Sequence, residues 1–400
     1  MLIEIHGGGF KNKGAELMLD TVVAELKTRL NEVQFCMAAR NDRPFERVAA
    51  AGGRLLWPSY LYTSSPKRFR QFYRISQLLG TLYPRRLLTP YGLCKHKEVD
   101  AIIDISGYAF GDLWGTERMV TFSRIANWYR RNGKPVIMLP QMFGPFDKQD
   151  SKSWFESVCS NVDLIYARDK TSLRLAQECT DEKHEVKLAP DITMFNTSYK
   201  KSDEFNDDVD RVVLVPNIHV LDMGSTNWDF ESYVGLFVDA AKQVLEAGKE
   251  ITIVVHDYFG GDIKLAEKIA DELGLSRESI FQSQSAHQLK ALIGNSQFIV
   301  ASRFHSLVAA LSTNTPAISI GWAHKYNELM SDFNVQEFNI KNFEDSTRVA
   351  NLVEKLLDKG SYEEAKNRIA CRYSEMREDN NRMWSEVLSL LQNNDSNQNS

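Results

Sequence analysis

The chain has 400 residues, of which 43% are apolar and 25% charged, and this balance excludes a fibrous or low-complexity protein. The formal net charge of -5 at pH 7 excludes the strongly basic composition of proteins that bind nucleic acid non-specifically. No run approaches the roughly 20 apolar residues that a membrane-spanning helix needs. At roughly 150 residues per domain, the length predicts two to three domains.

The N-terminus lacks the basic and apolar regions of a signal peptide, and the five cysteines are scattered. We therefore expect a cytoplasmic protein with reduced thiols, without a disulfide framework or a zinc site.

In the first half of the chain, short apolar runs alternate with segments of helical length. The run Leu2–His6 is followed by Gly7-Gly8-Gly9 and then by a helical pattern from about Gly14 to Leu30. Later predicted strands are Val33–Ala38, Val99–Ile105, Pro135–Leu139 and Asp163–Tyr166. This alternation predicts a mostly parallel sheet with helices on both faces, in a first α/β domain at residues 1–195.

A second alternating series follows a polar segment, 198–210, that we interpret as a surface linker. Its predicted strands are Arg211–Pro216, Glu250–Val255, Gln297–Ala301 and Ala317–Ile320, and its helical patterns are Trp228–Ala247, Ile263–Leu273, Ala286–Ile293 and His305–Ser312. We expect a second α/β domain at 211–345, a helical region at 346–391 and a disordered tail at 392–400. The predicted fold is two doubly wound Rossmann-like domains facing a cleft, where a ligand meets the carboxyl ends of the strands.

Between Arg47 and Lys97 the sequence has no acidic residue but ten basic ones, interleaved with aromatic residues. The basic residues are Arg47, Arg54, Lys67, Arg68, Arg70, Arg74, Arg85, Arg86, Lys95 and Lys97. Such a segment favours an anionic substrate or contact with the inner face of an anionic membrane. The alternative is a solvated face with ordinary core aromatics.

The segment Ser302-Arg-Phe-His305 stands between an apolar strand and a helical run. Ser302 is a predicted N-cap, which would place Arg303 and His305 on the first turn of a helix. Free backbone N–H groups, the helix dipole and an arginine together favour an anion, and His305 can exchange a proton near neutral pH. The alternative is a surface ion pair for Arg303 and a buried structural role for His305.

Other loops after predicted strands carry weaker signals. The passage from Ser106 through Gly107 and Tyr108 ends at Asp112, whose carboxylate could accept a sugar hydroxyl proton or could only cap a turn. Arg168 could bind a second part of an anion from the other domain, or could form a surface pair with Asp169. The sequence contains no GxGxxG, Walker, HExxH or GxSxG motif and no Cys/His cluster, so we expect neither a metal nor a bound cofactor.

Taken in order, these segments resemble the polysaccharide pyruvyl transferase family over about residues 1–340. The resemblance lies in Asn12-x-Gly14-x-Glu16, the loop ending at Asp112, Leu139–Pro145, Tyr166–Asp169, Ala189–Asp191, Ser302–His305, Pro316 and Lys325-Tyr326. Members of the family resemble two-domain, GT-B-like proteins. They transfer the enolpyruvyl group of phosphoenolpyruvate to two hydroxyls of a sugar as a ketal, and phosphate is released.

The resemblance implies roles for individual residues. Arg303 and His305 match the donor motif, Arg168 matches the arginine of the Ala-Arg-Asp segment, and Glu16 matches an acidic position, whereas Ala15 departs from the frequent aspartate. The implied donor-binding residues are Arg168, Arg303, His305, Ser302 and Lys325. The implied acceptor-binding residues are Asn12, Gly107, Tyr108 and Asp112, and the implied catalytic residues are His305, Asp112 and Glu16.

The chemistry of the proposed donor fits these residues. Phosphoenolpyruvate carries a carboxylate and a phosphate, which suit two arginines and a helix N-terminus without a metal. A histidine such as His305 suits protonation of the methylene carbon. We expect the acceptor to be a saccharide of the cell envelope or of an exopolysaccharide, either free or linked to a lipid. The acceptor is expected to bind to the first domain and the donor to the second.

Two other functions remain open at this point. A nucleotide-sugar glycosyltransferase shares the two-domain architecture, and fold alone does not separate it from a pyruvyl transferase. The other alternative is a non-catalytic envelope-assembly protein.

Overall fold

A computed structural model describes residues 1–62, 74–75, 83–180, 184–196, 210–222, 229–256, 261–282, 285–321, 324–340 and 346–398. The chain divides into two compact units. Unit 1 comprises Met1–Phe10, Met18–Ile192 and Asp379–Ser400, and unit 2 comprises Lys11–Leu17 and Thr193–Glu378. These boundaries differ from the expected domains, because residues 11–17 belong to unit 2 and the end of the chain belongs to unit 1.

The described residues of unit 1 form a parallel sheet of nine strands. Its strands are β1 Leu2–His6, β2 Gln34–Ala38, β3 Gly53–Leu56, β4 Leu93–Cys94, β5 Ala101–Asp104, β6 Tyr108–Phe110, β7 Val136–Phe143, β8 Leu164–Ala167 and β9 Val186–Leu188. They are arranged in the order β4-β3-β2-β1-β5-β7-β8-β9, with β6 paired to β7. The helices are α1 Lys13–Arg29, which begins in unit 2, α2 Phe45–Ala50, α3 Arg85–Leu88, α4 Glu117–Arg131, α5 Gln149–Cys159 and α6 Lys170–Gln177.

Both faces of this sheet are covered by apolar side chains. Along β1, Ile3 and Ile5 belong to the core that packs on α1 side chains such as Leu19, whereas Leu2 belongs to the core that contains Phe122 of α4. Successive residues of a strand point to opposite faces, so one short apolar run supplies two cores. The predicted parallel sheet with helices on both faces is confirmed in unit 1.

Unit 2 contains a six-stranded parallel sheet in the order β12-β11-β10-β13-β14-β15. The strands are β10 Arg211–Val215, β11 Glu250–Val255, β12 Ile280–Gln282, β13 Phe298–Ala301, β14 Ala317–Ile320 and β15 Asn339–Ile340. The helices are α7 His219–Asp222, α8 Phe230–Glu246, α9 Asp262–Leu273, α10 Ala286–Gly294, α11 Phe304–Ser312, α12 His324–Asp332, α13 Ser346–Leu357 and α14 Lys359–Gln398, which continues into unit 1 from Asp379. The second predicted α/β sheet is therefore also present.

The last helix, α14, extends further than the sequence predicts. Met383, Trp384, Val387 and Leu391 form a buried apolar stripe in the core of unit 1. The expected disordered tail began at residue 392, whereas the helix continues through Gln398. The sequence favours disorder there because residues 392–400 include no apolar side chain. The helix continues because the buried apolar stripe that precedes these residues anchors it.

Two other sequence predictions fall mostly outside the described residues. The linker at 198–210 is described only at Asp210, and the basic segment is described only at 47–62, 74–75 and 83–97. In the described part of the chain, no helix is both long and apolar enough to cross a membrane.

In each sheet, the strand order reverses at one point. This reversal lies between β1 and β5 in unit 1 and between β10 and β13 in unit 2. In open α/β sheets, ligands bind beyond the carboxyl ends of the strands at such a point. His6 and Asp104 end the two strands in unit 1, and Ser302-Arg303 follows β13 in unit 2.

Candidate active site

Arg303 is held rigidly at the carboxyl edge of the sheet in unit 2. Its Nη2 donates to both carboxylate oxygens of Asp262 at 2.6 Å, and its Nε donates to Oδ2 at 3.0 Å. Asp262 is fully buried, and its Oδ1 also accepts the backbone N–H of Ile218 at 3.0 Å. This bidentate ion pair fixes the plane of the Arg303 guanidinium, as substrate recognition by arginine requires. The pair also uses some of the N–H donors of the guanidinium, which leaves fewer for a substrate.

The predicted N-cap at Ser302 is wrong by one residue. The N-cap is Arg303, which has extended backbone angles, and its carbonyl accepts the backbone N–H groups of Ser306 and Leu307. The Ser302 carbonyl instead accepts hydrogen bonds from Asn217 Nδ2 at 3.1 Å and Tyr326 Oη at 2.8 Å. Those two bonds hold Ser302 outside the helix. His305 is in the first turn of α11, as expected.

His305 packs against the backbone at the start of α1. A Cβ atom at Gly14 would lie only 2.0 Å from His305 Nδ1, so no larger residue fits at position 14 without moving the imidazole. Residues 11–17 and His305 belong to the same unit. Unit 2 therefore brings together the opening loop, residues 11–17, and the Arg-x-His segment, Arg303–His305, which are almost 300 residues apart in the sequence.

The residues of the opening loop are tied to one another. Asn12 Oδ1 accepts the backbone N–H groups of Gly14 at 2.9 Å and Ala15 at 3.3 Å, so Asn12 caps α1. Lys13 Nζ and Glu16 Oε2 form a buried ion pair at 2.8 Å. Asn12 and Glu16 were expected on the first domain, but both lie in unit 2 with His305.

His256 adds an imidazole to this group of side chains in unit 2. It follows β11 and is buried. Burial, together with the positive charges of Arg303, His305 and Lys13, lowers the pKa of His256 well below its ordinary value. At neutral pH it is therefore a neutral hydrogen-bonding group among cations.

Lys325 and Tyr326 lie on α12, near the start of α11. Lys325 Nζ is 5.4 Å from the ring centroids of Phe304 and Tyr326. The Tyr326 hydroxyl is buried in its hydrogen bond to Ser302, so Tyr326 orients the Ser302–Arg303 turn. Lys325 keeps its expected place in the same unit as Arg303 and His305.

In unit 1, Arg168 also has a carboxylate partner. Its Nη1 is 3.2 Å from Asp191 Oδ2, and both side chains are buried. Asp169, the alternative surface partner of Arg168, instead caps α6 by accepting the Ser172 backbone N–H at 2.7 Å. A surface Arg168–Asp169 pair is therefore wrong, and Arg168 is a buried cation at the carboxyl end of β8.

The loop expected to bind the acceptor is organised by backbone hydrogen bonds. Gly107 has a φ of 71° and its carbonyl accepts the Met142 N–H, while the Tyr108 hydroxyl donates to the Gly144 carbonyl at 3.2 Å. Asp112 Oδ2 accepts the backbone N–H groups of Asp147 at 2.7 Å and Lys148 at 3.2 Å. Asp112 thus has the capping role that the sequence analysis kept as its alternative.

Trp114 stands beside this loop and was missed by the sequence analysis. Its side chain is 39% exposed, its ring centroid is 5.9 Å from that of Tyr108, and the Arg118 guanidinium lies over one face at 4.7 Å. Burial raises the pKa of Tyr108, while the positive charge of Arg168 opposes that change. Tyr108, Trp114, Asp112 and Arg168 therefore occupy one region of unit 1.

Asp262 and His256 carried no separate signal in the sequence, because the residues with which they interact, Arg303 among them, are distant in the chain. Among the described residues, no group of three or more histidine, cysteine, aspartate or glutamate side chains could hold a metal ion.

The chain is similar in sequence to known proteins. The sequence pattern of the polysaccharide pyruvyl transferase family matches residues 12–324. The amylovoran biosynthesis protein AmsJ of Erwinia amylovora is 22% identical over 319 residues, which are 74% of each chain.

Solved structures that resemble this chain share its fold at low identity. HepE of Anabaena, solved with UDP and glucose, is 12% identical with a TM-score of 0.57, and the match covers 97% of this chain and 99% of HepE. The UDP-GlcNAc 2-epimerase of Neisseria meningitidis, solved with UDP-GlcNAc, is also 12% identical with a TM-score of 0.57, over 95% and 99%. The fold is therefore GT-B-like, as expected from the sequence.

Proposed function

Because the chain belongs to the polysaccharide pyruvyl transferase family, we propose that it transfers the enolpyruvyl group of phosphoenolpyruvate to a saccharide. The product is a pyruvate ketal, and phosphate is released. The name of its relative AmsJ supports a role in exopolysaccharide or cell-envelope biosynthesis. Phosphoenolpyruvate is a co-substrate, and the proposal needs no bound cofactor.

The observation that carries the proposal is the cationic group in unit 2. Arg303 and His305 lie at the N-terminus of α11, and the positive charges of Lys13 and of both these residues act on His256. A helix N-terminus with an arginine suits a phosphate or carboxylate. We assign Arg303, His305, Ser302 and Lys325 to the donor, and we keep Arg168 of unit 1 as a further donor cation.

The proposed chemistry conserves atoms and charge. His305 donates a proton to the methylene carbon of phosphoenolpyruvate, which becomes the methyl group, while one sugar hydroxyl forms a C–O bond at C2. The second hydroxyl then attacks C2, and the bond to phosphate breaks. The two hydroxyl protons balance the proton gained by carbon and the proton carried away by hydrogen phosphate.

On the acceptor side, we propose that Tyr108, Gly107, Asp112 and Asn12 contact the saccharide. Asp112 and Glu16 are the carboxylates that the family resemblance assigns to catalysis. Asp112 Oδ2 already accepts two backbone N–H groups, and Glu16 is paired with Lys13, so both carboxylates have protein partners in this structure. The exposed indole of Trp114 adds an apolar face that suits a sugar ring.

The acceptor in this proposal can be lipid-linked, with the basic segment at the inner face of the membrane. Four apolar or aromatic side chains near its described arginines are exposed by half or more: Ile75, Tyr83, Leu87 and Tyr91. Exposed apolar groups among positive charges suit an anionic bilayer. Sedimentation with vesicles containing phosphatidylglycerol tests this, since Leu87→Ser with Tyr91→Ser should release the protein, and vesicles of phosphatidylcholine should bind neither form.

The transfer itself is tested by following phosphate release and ketal methyl formation by NMR with phosphoenolpyruvate and a saccharide acceptor. His305→Gln should retain donor binding within about tenfold but lose 100-fold or more in turnover, because general acid catalysis contributes about 10²–10⁴-fold. His184→Gln, which alters a histidine of unit 1 outside the proposed site, is the matched control and should retain turnover. Unchanged turnover in His305→Gln would contradict the assignment.

A further inference from the structure

Glu4 and His6 form a polar pair on one face of β1. Residues two apart in a strand point to the same side of the sheet. His6 Nδ1 lies 3.6 Å from Glu4 Oε1. The Glu4 side chain is fully buried, whereas the His6 side chain, at the carboxyl end of the strand, is 15% exposed. The pair therefore joins the interior of unit 1 to the edge where ligands of such sheets bind.

The Glu4 carboxylate is fixed by two tyrosines. Tyr62 and Tyr129 each donate a hydrogen bond of 2.6 Å to Oε2. Burial alone would raise the pKa of Glu4, but the close approach of His6, its electrostatic interaction with the nearby imidazoles and the hydrogen bond from Tyr129 outweigh that effect and lower the pKa. Glu4 is therefore a charged carboxylate whose Oε1 faces the imidazole.

His6 also borders a second buried acid. In the sheet it is in register with Asp104, the last residue of β5. Asp104 is held by Ser106 Oγ at 2.6 Å and by Gln141 Nε2 at 2.8 Å. The Phe122 ring centroid lies 5.2 Å from that of His6, so an apolar wall limits the movement of the imidazole.

A role in packing alone does not account for this pair. The neighbours of Glu4 in register are Cys36 and Ile102, which are buried in an apolar core. A charged carboxylate in that position is costly unless it is fully paired, and two tyrosines and two histidines surround it for that purpose. A carboxylate that orients a histidine at the edge of a site is the arrangement of many general bases.

We propose that His6 is the general base that takes the proton from the attacking saccharide hydroxyl, and that Glu4 is the residue that positions it. This inference rests on the proposed pyruvyl transfer and deepens it. Because Nδ1 faces Glu4, we assign the proton transfer to the other ring nitrogen, Nε2. The role of general base, for which the sequence suggested Asp112 or Glu16, is thereby assigned to a histidine.

The step conserves atoms and electrons. The oxygen of the first sugar hydroxyl forms a bond to C2 of phosphoenolpyruvate, and its proton passes to His6 Nε2. C3 gains its own proton from His305, so the carbon–carbon double bond becomes a single bond and no oxidant or reductant is needed. The proton on His6 then passes to solvent.

The experiment compares His6→Ala, His6→Gln, Glu4→Gln and the double variant Glu4→Gln/His6→Ala with the wild-type chain. Binding of phosphoenolpyruvate is measured by calorimetry, and acceptor-dependent phosphate release is measured with and without added imidazole. We expect His6→Ala to bind phosphoenolpyruvate within threefold of wild type and to lose at least 100-fold in kcat. Imidazole should restore part of the kcat of His6→Ala but none of that lost in His305→Gln.

The positioning role of Glu4 has its own readout. Glu4→Gln should lower kcat at least tenfold in the wild-type background and change it by less than twofold in the His6→Ala background, because Glu4 acts through His6. A merely structural role would reduce kcat equally in both backgrounds and would overturn this part. If His6→Ala does not fold, His6→Gln is the variant that tests the proposal, since the glutamine amide fills the space of the imidazole without providing a basic nitrogen. A kcat within threefold of wild type in that variant would overturn the proposal.

Failure of the proposed function gives a different pattern. The wild-type chain would then neither bind phosphoenolpyruvate nor release phosphate from it. If instead the wild type is active and the His6 variants are equally active, only the base assignment fails.

Discussion

Gly14 and His305 occupy the same space so closely that a Cβ on the glycine would lie 2.0 Å from His305 Nδ1. Gly14 lies in the first turn of α1, where alanine would otherwise be the better helix former. The residue at position 14 is therefore set by the position of the imidazole and not by the local backbone. This contact joins the N-terminal loop to the Arg-x-His segment within unit 2.

Gly14→Ala should displace His305 and lower kcat by 10-fold or more with little loss of stability. The gain in helix propensity, up to about 1 kcal/mol, offsets part of the clash. The matched control is Gly235→Ala in α8, where a Cβ would meet nothing within 4 Å. Steady-state kinetics and thermal unfolding of both variants provide the check. A Gly14→Ala enzyme with wild-type kcat would contradict a role for the imidazole at that position.

The Arg303–Asp262 pair makes a simple alanine test ambiguous. Arg303→Ala leaves the buried carboxylate of Asp262 without its partner, so we expect a loss of about 3–5 kcal/mol in the free energy of unfolding. Arg303→Met with Asp262→Asn removes both charges and retains an acceptor for the Ile218 N–H. The double variant should recover most of the stability but not phosphoenolpyruvate binding. Urea unfolding measures the stability, and calorimetry measures the binding of phosphoenolpyruvate. Normal binding of phosphoenolpyruvate by the double variant would show that Arg303 does not bind the donor.

His96 predicts a pH dependence of stability in unit 1. Burial lowers the pKa of His96 from 6.5 to about 4, although the charge of Glu4 opposes the shift. Between these values the unfolded chain binds a proton that the folded chain does not, so the contribution is complete above about pH 6.5 and is lost as the pH falls toward 4.

From pH 7 to pH 5, this residue should cost about 2 kcal/mol of unfolding free energy. In His96→Asn, whose amide can replace the contact of Nδ1 with the Tyr62 hydroxyl, the loss over this interval should be smaller by that amount. Urea unfolding of both chains at the two pH values gives the comparison. Equal losses in the two chains would show that His96 does not cause the dependence.

Trp114→Ala should raise the KM for the saccharide about 10-fold and leave phosphoenolpyruvate binding unchanged. The indole offers an exposed aromatic face beside Tyr108, and its removal takes away apolar contact with the sugar ring. Leu113→Ala is the matched control, because Leu113 is the preceding residue and is 46% exposed. The two KM values are measured with the same acceptor. If Leu113→Ala had the same effect as Trp114→Ala, a specific role for the indole would be excluded.

The sheets could be predicted because their central strands are continuous apolar runs. The predicted strand at Leu2–His6 coincides with β1, and the one at Glu250–Val255 coincides with β11. Strands of two to four residues at the sheet edges, such as β4 Leu93–Cys94 and β15 Asn339–Ile340, carry too few residues for a periodic signal.

The site was predictable only where one segment carries several chemical groups. Ser302–His305 unites an arginine, a histidine and a helix start, whereas its partners Asp262 and Gly14 are separate single residues. Glu4 was hidden for another reason, because an acidic residue between Ile3 and Ile5 is typical of a strand with one solvated face. Only the fold places Tyr62 and Tyr129 around it.

Calorimetric titration of the wild-type chain with phosphoenolpyruvate and, in parallel, with UDP-glucose and UDP-GlcNAc tests the proposed donor most directly. We expect saturable binding of phosphoenolpyruvate that is lost in the stable Arg303→Met/Asp262→Asn variant and retained in His184→Gln. Binding of a UDP-sugar without any binding of phosphoenolpyruvate would contradict the proposed donor.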